Sequence, residues 1–358
     1  MNEAFQPKRL LVTGGAGFIG SNLVRWVLGA PDARSVERLV VLDALTYAGH
    51  RVNLAGLDSD PRLRFVEGDV CDGPVVRPLF EEHDFDAVLH LAAESHVDRS
   101  IEDAAAFVRT NVMGTFTLLD AALRAWQDDQ PRRFVHVSTD EVYGALGESG
   151  QFTEETPYAP NSPYSASKAG ADMLARAYFK TYGLPVLITN CSNNYGPRQL
   201  PEKLIPLMIR NALQGDPLPV YGRGAQIRDW LHVEDHCRGL WAALTRGAPG
   251  EKYNFGGGTE ATNLEVVQRI ADAVDRRAGK AAGTSRRLIE FVTDRPGHDF
   301  RYAIDPRKVE RELDWRPRIG FNDGLERTVS WYVDNADWVR EVESEESRRF
   351  YQSRYENG

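Results

Sequence analysis

Leu10-Leu11-Val12-Thr13-Gly14-Gly15-Ala16-Gly17-Phe18-Ile19-Gly20 is the stretch on which the fold turns. An uninterrupted apolar run reads as a buried strand, the glycines as a tight turn, and the residues on to about Leu28 as an amphipathic helix. In such a unit Gly14 and Gly17 permit a tight turn and close approach of the backbone to a pyrophosphate. Gly20 permits close packing of helix on strand, and the helix start presents free N–H groups to an anion. The spacing is Gly-x-x-Gly-x-x-Gly, a variant of the Gly-x-Gly-x-x-Gly fingerprint, and any tight turn recruits glycine. The context must therefore carry the reading.

It does so at the next strand, Leu39-Val40-Val41-Leu42, which ends in Asp43. An acid roughly 20 residues beyond the glycines accepts the ribose hydroxyls of a dinucleotide and repels a 2′-phosphate, so NAD is expected rather than NADP, although Arg51 stands not far away. A third strand, from Leu63 to Val66, ends in Gly68-Asp69-Val70. Asp69 there meets the adenine edge or simply closes a strand-end turn.

Strand and helix signals go on alternating. Residues 86–91, 134–138 and 184–191 read as strands, and 104–126 and 163–182 as helices. Repeated strand–helix units imply an α/β fold, a doubly wound parallel Rossmann sheet. Beyond Asn193 the pattern breaks into Pro- and Gly-punctuated segments with helices expected at 204–214, 233–245, 263–276 and 324–333. The division expected is an NAD-binding domain over 1–192 and a smaller C-terminal α/β lobe over 193–358 that mainly binds substrate. No linker separates them, so the boundary is soft and the chain interleaves.

A chain of 358 residues with 42% hydrophobic content can bury a substantial core, and its net charge of −9 argues against nonspecific nucleic-acid binding. The apolar runs are strand-sized and Met1 is followed by polar residues, so a cytoplasmic protein without membrane association is expected. Cys71, Cys191 and Cys237 are far apart, and the eight histidines show no His-Glu-x-x-His pattern. Neither a disulfide framework nor a metal site is expected.

Two further groups carry chemistry. Tyr164 and Lys168 share a helix face, so an ammonium can sit beside a phenol that titrates near 10 when unperturbed and draw it toward phenolate. The pair would then oxidise an alcohol, although a helix can carry Tyr and Lys at this spacing by chance. Thr139-Asp140-Glu141 follows the fifth strand. Adjacent acids after a strand often form only a polar turn, but ligands bind beyond the carboxyl ends of parallel strands, so acid–base chemistry beyond redox is expected.

Together with Leu91-Ala92-Ala93-Glu94-Ser95-His96-Val97-Asp98, Ser138 to Gly144, Tyr164-Ser165-Ala166-Ser167-Lys168 and Asn193-Asn194-Tyr195-Gly196-Pro197, the glycine turn resembles the extended short-chain dehydrogenase/reductases. Within them the chain resembles the dTDP-glucose 4,6-dehydratase family over nearly its whole length. The blocks Pro201 to Pro206, Arg228-Asp229-Trp230, Thr262 to Val266 and Asp294 to Asp299 add to the likeness.

The resemblance implies dehydration of dTDP-D-glucose to dTDP-4-keto-6-deoxy-D-glucose on retained NAD. Tyr164 would take the C4 hydroxyl proton while hydride passes to NAD, with Lys168 lowering the phenol's pKa and holding the nicotinamide ribose, and Thr139 bonding the C4 oxygen. Glu141 would remove the C5 proton and a protonated Asp140 would donate to the departing C6 hydroxyl, before hydride returns to C6. Cofactor contacts are expected from Gly14, Gly17, Phe18, Ile19, Gly20, Asp43, Leu45 and Thr46, and from Asp69, Val70, Leu91, Ala92, Ala93, Ser95 and Thr110, besides Tyr164 and Lys168. Leu91 and Ala92 could instead be only core.

Substrate contacts are expected from Glu94, Thr139, Asn193, Lys203, Leu204, Pro219, Val220, Tyr221 and Asn263, and from Asp294, Arg295 and His298. Arg228 is the candidate for the diphosphate, with a salt bridge to Asp229 as its alternative. His298 could equally be a surface-loop residue. Helices 104–126 and 163–182 resemble those that pair across a two-fold axis, so a homodimer is expected. A UDP-glucose 4,6-dehydratase would use the same catalytic residues. Epimerases and decarboxylases have no hydroxyl to expel and place a small hydroxyl residue at Asp140, and GDP-mannose dehydratases generally lack that acid. A non-catalytic NAD-sensing regulator would lose Tyr164 or Lys168, and both are present.

Overall fold

The structure is a computed structural model describing residues 4–128, 130–294 and 297–343; Arg295 of the expected substrate set lies outside the described residues. The strands in chain order are β1 (Arg9–Thr13), β2 (Arg38–Asp43), β3 (Leu63–Glu67), β4 (Ala87–His90), β5 (Arg133–Thr139) and β6 (Val186–Cys191). They are followed by β7 (Asn193–Tyr195), β8 (Leu218–Tyr221), β9 (Ile227–His232), β10 (Lys252–Phe255), β11 (Glu260–Thr262) and β12 (Ile289–Val292).

Seven of them form one parallel sheet in the order β10-β6-β5-β4-β1-β2-β3. The unbroken apolar runs follow from burial on both faces, because successive side chains alternate sides. Leu10 and Val12 of β1 enter the core beneath the helices Phe18–Gly29 and Val233–Arg246, while Leu11 enters the core on the other side with Phe134 and Leu118. The chain runs from β1 outward to β3 and then crosses back to β4 on the other side of β1. That reversal opens a crevice at the carboxyl ends of the strands, the location where such sheets bind ligands.

The seventh strand, β10, comes from the second half of the chain and pairs with β6 through Lys252↔Ile188 to Phe255↔Cys191. The second half also builds a three-stranded sheet, β11-β9-β7, and a parallel pair, β12-β8. Helices Leu204–Gln214, Asn263–Arg277 and Phe321–Asp334 cover them around a second core that includes Ile209, Val267 and Val329. Among the described residues no helix is long and apolar enough to cross a membrane.

The helix expected over 104–126 is not uniform. It starts as Ala104–Phe107, widens into a π-turn at Val108–Gly114 and tightens again at Thr115–Ala125. The π-turns that interrupt α-helices frequently mark functional sites. Within this one Thr110 lines the crevice and Asn111 is buried.

Candidate active site

A cavity of about 340 Å3 occupies the crevice. Its first half is the glycine turn. Gly14 has φ +69°, and a Cβ there would lie 2.7 Å from the Ala92 backbone nitrogen. A side chain at Gly20 would collide with the Gly14 carbonyl. Helix Phe18–Gly29 begins without a side-chain cap and without an acid in its first turn, so its N–H groups face the cavity uncompensated.

Asp43, at the tip of β2, accepts the Ala16 N–H at 2.8 Å and the Leu45 N–H at 2.9 Å. Burial raises its pKa while these two bonds oppose the rise. Gly17, Phe18, Ile19 and Thr46 line the same wall, whereas Leu45, expected there as well, has φ +50° and is not part of the lining. Arg51 is turned away, paired with Asp58 at 2.6 Å and stacked 4.1 Å from the Phe65 ring centre. Asp69 and Val70 close the far end of the cavity, and Asp69 accepts the Cys71 N–H at 2.8 Å. Leu91, Ala92, Ala93, Ser95 and Thr110 complete this part of the lining.

The second half holds the reactive groups Thr139, Asp140, Glu141, Tyr164 and Lys168, all on the cavity wall. Thr139 ends β5 and caps the short turn Asp140–Tyr143, its Oγ1 accepting the Glu141 N–H at 3.2 Å. Behind the turn Asn190 donates to the Thr139 carbonyl at 2.9 Å, and Tyr143 donates to Asn254 Oδ1 at 2.9 Å. This buried polar network fixes the direction in which the acids point. Asp140 is only 2% exposed. Burial, then Glu141 and Asp229, push its pKa well above the ordinary carboxyl range, against a smaller opposing pull from Arg228.

Tyr164 and Lys168 sit on helix Pro163–Tyr182, which starts at a Ser162–Ser165 capping box with Pro163 in the first turn. The expectation that the phenol is drawn below its ordinary pKa is corrected here. Burial first, then Glu141 and Cys191, hold Tyr164 well above 10, with a hydrogen bond to Thr139 pulling the other way. The physical reason is that full desolvation and adjacent acids both penalise phenolate. Lys168 donates to the Val137 carbonyl at 2.7 Å, and burial brings its pKa down to about 8.

Of the expected substrate contacts, Glu94, Asn193 and Lys203 line this cavity, and Lys203 donates to the Ser95 carbonyl at 3.1 Å. Thr139 apart, the other described ones lie in the second half of the chain. Arg228 of β9 is buried, donating to the carbonyls of Ile227, Asp299 and Phe300, with its guanidinium 4.4 Å from the Tyr302 ring centre. The neighbouring Asp229 instead accepts the N–H groups of Gly257 and Thr259, each at 3.0 Å, so the two side chains serve opposite faces of β9. Tyr221 donates to Asp98 at 3.4 Å with its ring 6.0 Å from that of His298. His298 meets Asp294 at 2.6 Å, and Asp294 also accepts from Gln226 at 2.7 Å. Asn263 opens helix Asn263–Arg277, and Leu204 opens Leu204–Gln214 and packs on the second core. Pro219 and Val220 are buried in β8, with Val220 in the second core at 1% exposure.

The sequence model of a family described as GDP-mannose 4,6 dehydratase matches residues 11–328. A dTDP-glucose 4,6-dehydratase of Xanthomonas campestris is 56% identical over 338 residues, 93% of this chain and 95% of that one. One from Escherichia coli K12 is 50% identical over 362 residues, covering 97% and 99%. The crystal structure of a dTDP-glucose 4,6-dehydratase from Streptomyces venezuelae, solved with NAD bound, superposes with a TM-score of 0.87 at 53% identity, covering 94% of this chain and 100% of that one. The chain belongs to the dTDP-glucose 4,6-dehydratase family. A Thermus thermophilus UDP-glucose 4-epimerase in complex with NAD also superposes, at 0.81 and 32% identity over 91% and 99% of the two chains. The fold is thus shared with epimerases, and the chemistry has to be read from residues.

In this dTDP-glucose 4,6-dehydratase family member the site also draws on residues not singled out from sequence, one of which, Asn111, is buried beside the cavity rather than on its wall. Asn111 bridges the two halves, donating to Ser167 at 2.8 Å and to the Glu94 carbonyl at 3.0 Å, and accepting the Glu94 N–H at 2.9 Å. It continues the buried stripe Phe107, Asn111, Thr115, Leu118 and Ala122, so a polar residue on an apolar helix face was the available signal. Cys191 and Ser192, at and just beyond the tip of β6, also line the cavity. The carboxyl-end rule that pointed to Asp140 would have flagged both. Glu202 lines it too, and an acid inside the block Pro201 to Pro206 was the available signal.

Proposed function

We propose that this chain is a hydro-lyase that converts dTDP-D-glucose into dTDP-4-keto-6-deoxy-D-glucose, with NAD retained through each cycle. The observation that carries the reading is Asp140: a buried carboxyl beside Glu141 whose surroundings keep its proton on, as a donor to a leaving hydroxyl requires. Epimerisation has no use for such a group.

The residues present fit NAD. The uncapped helix start would hold the pyrophosphate, the Gly14 and Gly20 contacts leave room only for backbone, and Asp43 would take the adenosine ribose. Arg51 is committed to Asp58 and Phe65 rather than to a 2′-phosphate. When bound, NAD supplies a two-electron acceptor that is restored before product leaves, and its positive ring offsets the penalty on phenolate at Tyr164.

Tyr164 takes the C4 hydroxyl proton, aided by Lys168 in its ammonium form, and Thr139 hydrogen-bonds the C4 oxygen. The C4 ketone makes the C5 proton acidic, and Glu141 removes it. Asp140 donates its proton to the C6 oxygen, which leaves as water. Glu141 then returns a proton to C5, the proton that Tyr164 took from the C4 hydroxyl makes good the one Asp140 gave up by exchange through solvent, and product and substrate differ by one water molecule.

Residues 1–192 are read as the part that mainly holds NAD and 193–358 as the part that mainly holds the nucleotide sugar, with Arg228 toward the diphosphate. A homodimer is proposed because Val108, Met113 and Phe116 on one helix run and Met173 on the helix packed against it are exposed apolar side chains. Three free thiols accord with a cytoplasmic location. The test is incubation of purified protein with dTDP-glucose, UDP-glucose and GDP-mannose without added reductant. A 4-keto-6-deoxy product from dTDP-glucose supports the reading, the same product only from UDP-glucose changes the base, and no product from any of the three defeats it.

A further inference from the structure

One turn along the helix from Lys168 stands Asp172, fully buried at 0% exposure and unused by the chemistry above. Its Oδ2 accepts from Ser138 of β5 and from Tyr158, each at 2.9 Å. Its Oδ1 lies 3.0 Å from His136 Nε2, outside hydrogen-bond alignment. His136 is itself fully buried beside the His90 ring, 5.4 Å between centres, and burial lowers both imidazole pKa values, so both are neutral at neutral pH. The two hydroxyls donate hydrogen bonds but bring no charge.

Lys168 has the complementary need. It is 4% exposed, and its hydrogen bond to Val137 reaches a carbonyl dipole, not an anion. A buried ammonium and a buried carboxylate are each costly alone, and residues four apart on a helix are side-by-side neighbours. We propose that Asp172 is a positioning residue of the reaction: as the buried counter-charge one helical turn away, it holds Lys168 in the ammonium form beside Tyr164.

The electrostatics of every packed element agree. Asp172 acts most strongly among the charges that raise the Lys168 pKa against burial. Cys191 of β6 raises it as well, but burial keeps that thiol protonated. His90 of β4 and His136 of β5 are neutral, and Tyr164 on the same helix is held as phenol. Toward Asp172, Tyr143 and Tyr158 are likewise phenols. Lys252 of β10 also feels Asp172, but it is half-buried, with its ammonium over the Tyr158 ring at 4.9 Å, and solvent screens it.

The inference rests on the role given above to Lys168, and the experiment separates the two. The pH profile of kcat on dTDP-glucose is measured for wild-type holoenzyme, Asp172→Asn and Tyr158→Phe. Loss of the counter-charge should move the alkaline limb of Asp172→Asn to lower pH by about 1 unit or more. Tyr158→Phe removes one of two donors to Oδ2 and should move the limb the same way by less. Independently of turnover, labelling of Lys168 by an amine-directed reagent, read by peptide mass spectrometry, should reach its midpoint at lower pH in Asp172→Asn. A uniform loss of activity with unmoved limbs and midpoint overturns the inference while leaving the function intact. If Asp172→Asn does not fold, an unmoved limb in Tyr158→Phe overturns it. A wild type inert on dTDP-glucose overturns both.

Discussion

Thr139 donates its hydroxyl to Asp140 Oδ1 at 3.3 Å, while the other carboxyl oxygen, Oδ2, is buried with no hydrogen-bonding partner among the described residues. A buried polar atom left unpaired is costly and needs an explanation. A protonated acid whose hydroxyl awaits a substrate oxygen provides one.

Asp140→Asn keeps the shape and removes the proton. Water loss should slow by about 100-fold or more, the scale of a general acid, while oxidation at C4 proceeds. Absorbance of reduced nicotinamide should therefore build up when the variant meets substrate. Normal turnover in Asp140→Asn would show that another group is the acid.

Glu141→Gln should abolish exchange of the C5 hydrogen with solvent, read by NMR in deuterated buffer, with turnover down by about 100-fold or more. Exchange at the wild-type rate would assign the base elsewhere.

Gly14→Ala asks a residue with a Cβ to adopt φ +69° and to approach the Ala92 backbone to 2.7 Å. The left-handed conformation alone costs about 1–2 kcal/mol, and the collision adds to it. Denaturant unfolding should show at least that loss together with weakened NAD binding. An unchanged midpoint would mean that the turn relaxes freely.

Asp229 provides a pH test of stability. Burial holds its pKa at about 6 against 3.8 for an ordinary aspartate. The folded chain therefore keeps a proton that the unfolded chain has lost, so this group's contribution is fully present below pH 3.8 and disappears as pH rises through about 6. Asp229→Asn cannot ionise, and its Tm relative to wild type should rise between those pH values, by the equivalent of up to about 3 kcal/mol. A Tm difference that stays flat with pH would place Asp229 in a more polar setting.

Features with a local cause were legible in the sequence. The glycine turn, Asp43 at a strand tip and the Tyr164/Lys168 spacing each depend on residues near in sequence, and the acids Asp140 and Glu141 follow from strand order. Features made by residues far apart were not. Lys252–Phe255 is a four-residue strand whose place beside β6 depends on the helix before it, and β8 contains Pro219, which marks an edge. The raised phenol pKa of Tyr164 depends on burial by the completed fold, as does the Asn190 bond to the Thr139 carbonyl. No spacing rule reports either.

The central claim is a redox loop that closes within one active site, and dTDP-glucose carrying deuterium at C4 tests it most directly. The account predicts product in which that deuterium has moved to C6 and C5 carries a hydrogen from solvent. Deuterium retained at C4, or lost to water, would contradict it.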